Sequence, residues 1–358
     1  MTKVLYPVKR NKPQGELIRP AIGSSMNNID DLVKMMTYRR PGGSNTERQF
    51  VRDFIIPSGA EPDALGNYCL RIGSLPVIWS AHTDTVATNP GFQRVDVSED
   101  QVVTLSKENF LSNCLGADDS TGCWIMLEMI KEGIPGYYIF HRGEERGGVG
   151  SKWKALNETN ALEEFSVAIA FDRAGYGDVI TSQFGSRTAS NAFAESLAIM
   201  LGSWFKPTSG VYTDTAEYSS IIPECTNLSV GYFNQHSEFE RQDLLFASWL
   251  RDKMVTMDVS VLPNLVERDL NEMPDYNDYG YSFGQHDFSS YNKKSNNSHN
   301  YRAPAPFKAK KDLLWYVENY PKATADFLET LGVDITLLKE HIYQIYHWDE
   351  NDDDSWDD

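Results

Sequence analysis

Seven residues of this 358-residue chain pair metal-capable or acid–base side chains with a telling placement. The apolar run Pro76–Ala81 ends in His82-Thr83-Asp84, and Tyr137–Phe140 ends in His141-Arg142-Gly143-Glu144-Glu145. Val167–Phe171 ends in Asp172, and Asn227–Tyr232 is followed by Asn234-Gln235-His236. Asp118, within Leu115–Gly122 (LGADDSTG), opens a helical pattern. Taken singly, an Asp at a strand end ordinarily caps a helix and a lone His is ordinarily a satisfied polar residue. Taken together, they bring His or carboxylate to the carboxyl edge of a sheet, where ligands of doubly wound α/β folds bind. Two His and three carboxylates suffice for two divalent ions sharing one bridging carboxylate, with positions left for water. The donor types suit zinc, or cobalt or manganese where carboxylates dominate, and the lack of cysteine among these candidates disfavours a purely structural zinc site.

The spacing adds roles. His82 and Asp84 stand two apart on a strand, hence on one face, so the Asp84 carboxylate can accept from the far ring nitrogen of His82. Glu144 and Glu145 point to opposite sides, so one can ligate while the other faces the attacking water as general base. His141 alternates away from the site and reads as a strand residue. Gly147-Gly148-Val149-Gly150-Ser151-Lys152 lacks the order of a phosphate-binding loop and reads as close backbone packing.

The positioning elements are an α/β pattern. A helix is expected at 29–37, and Ser44 with Glu47 has the spacing of a capping box. The four apolar runs alternate with helical segments at 119–131, 192–201 and 244–258, which predicts a mainly parallel sheet sandwiched between helices. Val95–Leu105 predicts a hairpin turning at Ser98–Gln101. Residues 1–27 read as an N-terminal arm and 28–260 as the catalytic domain. Residues 271–310 contain no Val, Ile or Leu, so 261–310 reads as a polar linker. Residues 311–348 read as a small helical C-terminal appendage, whose aromatic residues pack on the domain or join a second subunit. The last ten residues hold seven acids and read as a solvated tail.

A formal charge of −18, with 41% hydrophobic residues, describes a globular acidic protein and argues against nucleic-acid or anionic-membrane partners. Four cysteines without a CxxC pair make neither a disulfide framework nor a thiolate zinc site. No signal peptide or apolar span is evident, which predicts a soluble, cytoplasmic protein.

The same segments carry a family resemblance. Pro76–Val86 (PVIWSAHTDTV), Leu115–Gly122, Gly143–Ser151 (GEERGGVGS), Phe171-Asp172 and Ser229–Ser237 (SVGYFNQHS), preceded by Asp63–Asn67 (DALGN), resemble the co-catalytic dinuclear zinc peptidases of the M28, M20 and M42 families. The resemblance spans about 28–258 and implies a zinc-peptidase/phosphorylase-like fold. It also implies that His82 and Asp172 hold one metal and Glu145 and His236 the other. Asp118 would bridge them through a cis peptide to Asp119, with Glu144 as general base and Asp84 orienting His82. Only 63 residues separate Asp172 and His236, room for a helix, a loop and a strand but not for the inserted domain of M20 enzymes. A single-domain M28-type aminopeptidase acting on short peptides is the expectation. Tyr212 or another donor of the Gly210–Asp214 loop would assist the oxyanion. The alternatives are an N-acyl-amino-acid amidohydrolase or carboxypeptidase, which needs a cation such as Arg173 or Arg187 at the site, and a non-catalytic binding protein retaining the fold.

Overall fold

The computed structural model describes residues 29–202 and 205–270. Three of the apolar runs and the start of the fourth lie side by side at the centre of a nine-stranded sheet. Strand Val77–His82 pairs in parallel with Gly136–His141 on one side and Val167–Arg173 on the other. Val167–Arg173 pairs in parallel with Glu224–Ser229. All six residues of Val77–His82 are buried, as a strand covered on both faces requires.

The expected mainly parallel sheet needs correction, because its flanks are antiparallel. Tyr68–Ile72 runs against Gly136–His141 and Glu61–Pro62 runs against Tyr68–Ile72. On the other side Asp178–Gln183 runs against Glu224–Ser229 and carries Ser186–Arg187 antiparallel and Lys206–Gly210 parallel. The reason is burial. Tyr68–Ile72 is only partly buried, and a strand with one wet face tolerates antiparallel pairing.

Alternate residues of the central strands feed two cores. Val77, Trp79, Tyr138, Phe140, Ile169 and Phe171 pack with the helices Ala117–Lys131 and Leu244–Thr256, whereas Ile78, Ile139, Ala168 and Cys225 pack with Leu162, Phe165 and Tyr218. Helix Ala117–Lys131 is buried almost all round, so it shows no polar stripe. The helices at Ile29–Met35, Ala117–Lys131, Asn191–Leu201 and Leu244–Thr256 fall close to their expected spans. Ser44 caps the helix Asn45–Phe50 by accepting from Glu47 N at 3.1 Å. The Glu47 carboxylate, however, takes the Gly43 N–H and the Thr83 hydroxyl instead of the Ser44 N–H, so the capping box is half made.

A second sheet holds the hairpin Val95–Val97/Val102–Leu105, joined by Arg241–Asp243 and Tyr232–Phe233. The run Asn227–Tyr232 is therefore not one strand. Gly231, at φ 90°, lies between a main-sheet strand ending at Ser229 and a strand of the second sheet starting at Tyr232. The stretch from Asp172 to His236 likewise holds several short strands besides one helix. Past the expected boundary at 260, Leu262 is fully buried, and Glu224 accepts from the backbone of Glu267 and Arg268. The four cysteines are free, and among the described residues no helix is long and apolar enough to cross a membrane. The arm at 1–27, the linker from 271, the helical module and the acidic tail lie outside the described residues.

Candidate metal centre

The sheet delivers its strand ends to one place. Ligand atoms of His82, Asp118 and Asp172 lie within 4.8 Å of one another, as do those of Asp118, Glu145 and His236. Asp118 belongs to both triads. Its Oδ1 is 3.0 Å from His82 Nε2 and its Oδ2 is 3.2 Å from His236 Nε2, one oxygen to each imidazole. His236 Nε2 is also 3.0 Å from Glu145 Oε1. Glu144 joins His82 and Glu145 in a third group of the same size. The two glutamates thus converge on the site rather than pointing apart, because they lie in the turn beyond the strand, where alternation no longer applies.

Each side chain is held from behind. His82 Nδ1 lies 3.1 Å from the Asp84 carbonyl, which can only accept, so Nδ1 carries the hydrogen and Nε2 faces the triad. Asp84 therefore orients His82 through its backbone, since its carboxylate is 3.7 Å away and instead accepts the Glu144 N–H at 3.1 Å. The strand ends at His82, which removes the same-face geometry that the spacing suggested. Asp172 is gripped on both oxygens, by the Thr213 hydroxyl at 2.8 Å and the Tyr232 hydroxyl at 2.9 Å, while Asn227 bonds both its N–H and its carbonyl. Glu240 accepts the N–H groups of Leu115, Gly116 and Asp118, fixing the turn that presents Asp118. The Asp118–Asp119 peptide is cis. Asp119 faces inward, accepting from His82 N and Gly122 N, and a Cβ on Gly122 would stand 2.5 Å from its Oδ1.

Burial and like charge dominate the electrostatics. Burial raises Glu144 well above the usual carboxylate range and Glu145 to about 7, with neighbouring carboxylates adding to the shift. Burial and Asp118 raise Asp172. Burial opposes charge on the imidazoles, but hydrogen bonds to Asp118 and its neighbours outweigh it, lifting His82 well above its ordinary value and His236 to about 11. Asp118 is correspondingly held below the carboxylate range against its own burial. Glu145 Oε1 and Asp84 Oδ2 are buried without an aligned hydrogen-bond donor. Two imidazoles do not neutralise this many buried carboxylates, and an all-N/O donor set with an unpaired oxygen fits divalent cations.

Thr213, Tyr232, Asn227 and Glu240 escape a reading of the sequence, because each meets the site across 41 to 125 residues of chain. His141 is indeed set apart, bonding the Tyr218 hydroxyl at 2.6 Å and held near pKa 3 chiefly by burial. Tyr212 donates its hydroxyl to Glu217 at 2.9 Å rather than toward the triads. Gly150 packs so closely that a Cβ would lie 2.0 Å from Asn67 Oδ1, which accounts for the glycine-rich stretch.

No protein-family model matches the chain, and no curated protein matches it. Among solved structures, an aminopeptidase PepT from Bacillus cereus is 14% identical at a TM-score of 0.47, covering 68% of this chain and 99% of its own. A tripeptidase from Staphylococcus aureus is 14% identical at 0.49, covering 67% and 98%. An aminopeptidase from the archaeon Desulfurococcus kamchatkensis is 15% identical at 0.48, covering 69% and 99%. Likeness at this level assigns no family.

Proposed function

We propose that the chain is a dinuclear metallopeptidase of the co-catalytic zinc clan, an aminopeptidase acting on short peptides. The observation that carries the reading is the pair of donor triads sharing Asp118, with Glu144 beside them. His82 and Asp172 would hold one ion and Glu145 and His236 the other, with Asp118 between. Two divalent ions, zinc first and cobalt or manganese as alternatives, would polarise the substrate carbonyl and acidify the attacking water. Glu144, kept proton-hungry by burial, takes the proton from that water and returns it to the leaving amine. Asp84 positions Glu144 through its N–H and His82 through Nδ1, so one residue aligns base and ligand. Thr213 and Tyr232 hold Asp172 in a single rotamer.

Charge favours an amino terminus as the recognised group. Asp84, Asp118, Asp119, Glu144, Glu145 and Asp172 outnumber the positive charges that two divalent ions bring, so a substrate ammonium is attracted and a carboxylate repelled. The amidohydrolase and carboxypeptidase reading needs a free cation here, whereas Arg173 is paired with Asp178 at 3.1 Å. A single-domain, M28-like layout is supported by the short chain between Asp172 and His236. The test is hydrolysis of matched aminoacyl and N-acetyl-aminoacyl amides by metal-loaded protein with two ions per chain by elemental analysis. Free-amine substrates should be strongly preferred. Equal turnover of the N-acetyl series would install the amidohydrolase reading, and no turnover by the fully loaded protein would leave a binding protein.

A further inference from the structure

Apart from the carboxylate cluster, the surface holds an open hollow of about 360 Å3 whose lining includes Arg48, Arg52 and Arg142. Its lining also holds Val51, Ile56 and Tyr68, together with Glu47 and Thr83. Two of the guanidiniums are held by neutral acceptors. Arg48 donates to the Gly43 carbonyl and the Asn45 side chain, and Arg142 donates to the Leu65 carbonyl at 2.8 Å. These contacts fix position without cancelling charge, and each guanidinium has five N–H donors to offer. Among the described residues, no carboxylate lies within ion-pair distance of the three. The one acid in its lining, Glu47, accepts from the Thr83 hydroxyl and the Gly43 N–H and also attracts Arg142. In a chain of formal charge −18, three guanidiniums against the single carboxylate of Glu47 make this hollow locally positive.

We propose that this cavity binds a small phosphate monoester, its phosphoryl group held by Arg48, Arg52 and Arg142 and its organic part against Tyr68, Val51 and Ile56. Three guanidiniums less one carboxylate leave a surplus that matches a dianion, and a phosphate monoester carries about −1.5 to −2 at neutral pH. Guanidinium forks match phosphate oxygens in pairs. The apolar wall gives the cavity room and surface that bare phosphate would not use. The occupant would also touch Thr83, between His82 and Asp84, and Arg142, two residues before Glu144. The site is independent of the metallopeptidase reading, and its occupancy would be felt at two of the strand ends that carry the centre.

The test is calorimetric titration of the full-length, metal-loaded protein with phenyl phosphate and with inorganic phosphate. Saturable, salt-sensitive binding is expected, tighter for phenyl phosphate. Arg52→Met, at an exposed position, and Arg142→Met should each weaken it about tenfold, the loss of a charge-assisted contact. His236→Ala should leave it unchanged. Absence of saturable binding overturns the proposal, as does binding lost in His236→Ala but kept in Arg52→Met, which would place the anion on the metals. Inorganic phosphate binding as tightly as phenyl phosphate overturns the assignment of the apolar wall.

Discussion

Glu144 and Glu145 are neighbours in sequence with different surroundings. Glu145 meets His236 and Asp118, whereas Glu144 is tied through its backbone to Asp84 and leaves its carboxylate facing His82. Glu144→Gln is therefore expected to keep two bound ions and to lower kcat by about 10²–10⁴-fold with little change in KM, measured by steady-state kinetics beside elemental analysis. Unaltered kcat would dismiss Glu144 as the base. Tyr232→Phe removes only the hydroxyl on Asp172 Oδ1. It should weaken metal affinity roughly 10–100-fold in competition with a chromogenic chelator while leaving the fold intact. Affinity equal to the wild type would mean that Thr213 alone positions Asp172. The candidate ligands could be named from sequence because His82, Glu145, Asp172 and His236 follow apolar runs and Asp118 opens a helical pattern. Tyr232 and Glu240 could not be, because nothing local distinguishes a hydroxyl or carboxylate that works 60 or 124 residues away.

At the scale of elements, legibility followed apolar burial. Three of the four central strands read as apolar runs, whereas Glu224–Ser229 is buried yet carries Glu, Thr, Asn and Ser, and only its end falls within the run Asn227–Tyr232. Lys206–Gly210 is only partly buried, and Asp178–Gln183 mixes Thr, Ser and Gln into a mostly buried strand, so neither forms an apolar run that the sequence would single out. Their absence from the expected sheet is why its flanks were taken to be parallel like its centre. The Asp84 contact was misjudged for a related reason: a period-two argument holds only while the strand lasts, and this one stops at His82. The glycine-rich segment after Glu145 is a packing device, and that can be tested. Gly150→Ala forces a Cβ against Asn67 Oδ1 and the Arg142 carbonyl. A loss of about 1–3 kcal/mol in denaturant unfolding is expected, with reduced activity because the strained turn carries Glu144 and Glu145. A midpoint shift near zero would show that the turn has room to yield.

For the molecule as a whole, the buried acids make stability depend on pH when no metal is bound. Asp214, 3.3 Å from His141, is raised by burial from 3.8 to about 8, and Glu240 is raised by burial and Asp118 from 4.5 to about 7. Between those limits the native state holds protons that the unfolded chain has released, so stability falls as pH rises. The metal-free protein should lose melting temperature from roughly pH 5 to 8, followed by scanning calorimetry. Divalent ions favour ionised carboxylates and should flatten that slope. A metal-free protein with constant Tm across this range would contradict the charge balance drawn for the centre.

The two imidazoles that share Asp118 differ sharply in exposure, His82 at 1% and His236 at 50%. That asymmetry sets a timetable. In the proposed two-ion centre, an ion on the His236 side would leave through solvent, whereas one on the His82 side would wait for the protein to open. Dialysis against a chelator should accordingly strip the chain in two kinetic phases of about one ion each. A half-loaded species would accumulate between them, its remaining ion held by His82 and Asp172. In a cell short of metal, such a chain would idle with its deeper berth filled and regain activity by taking up a single ion.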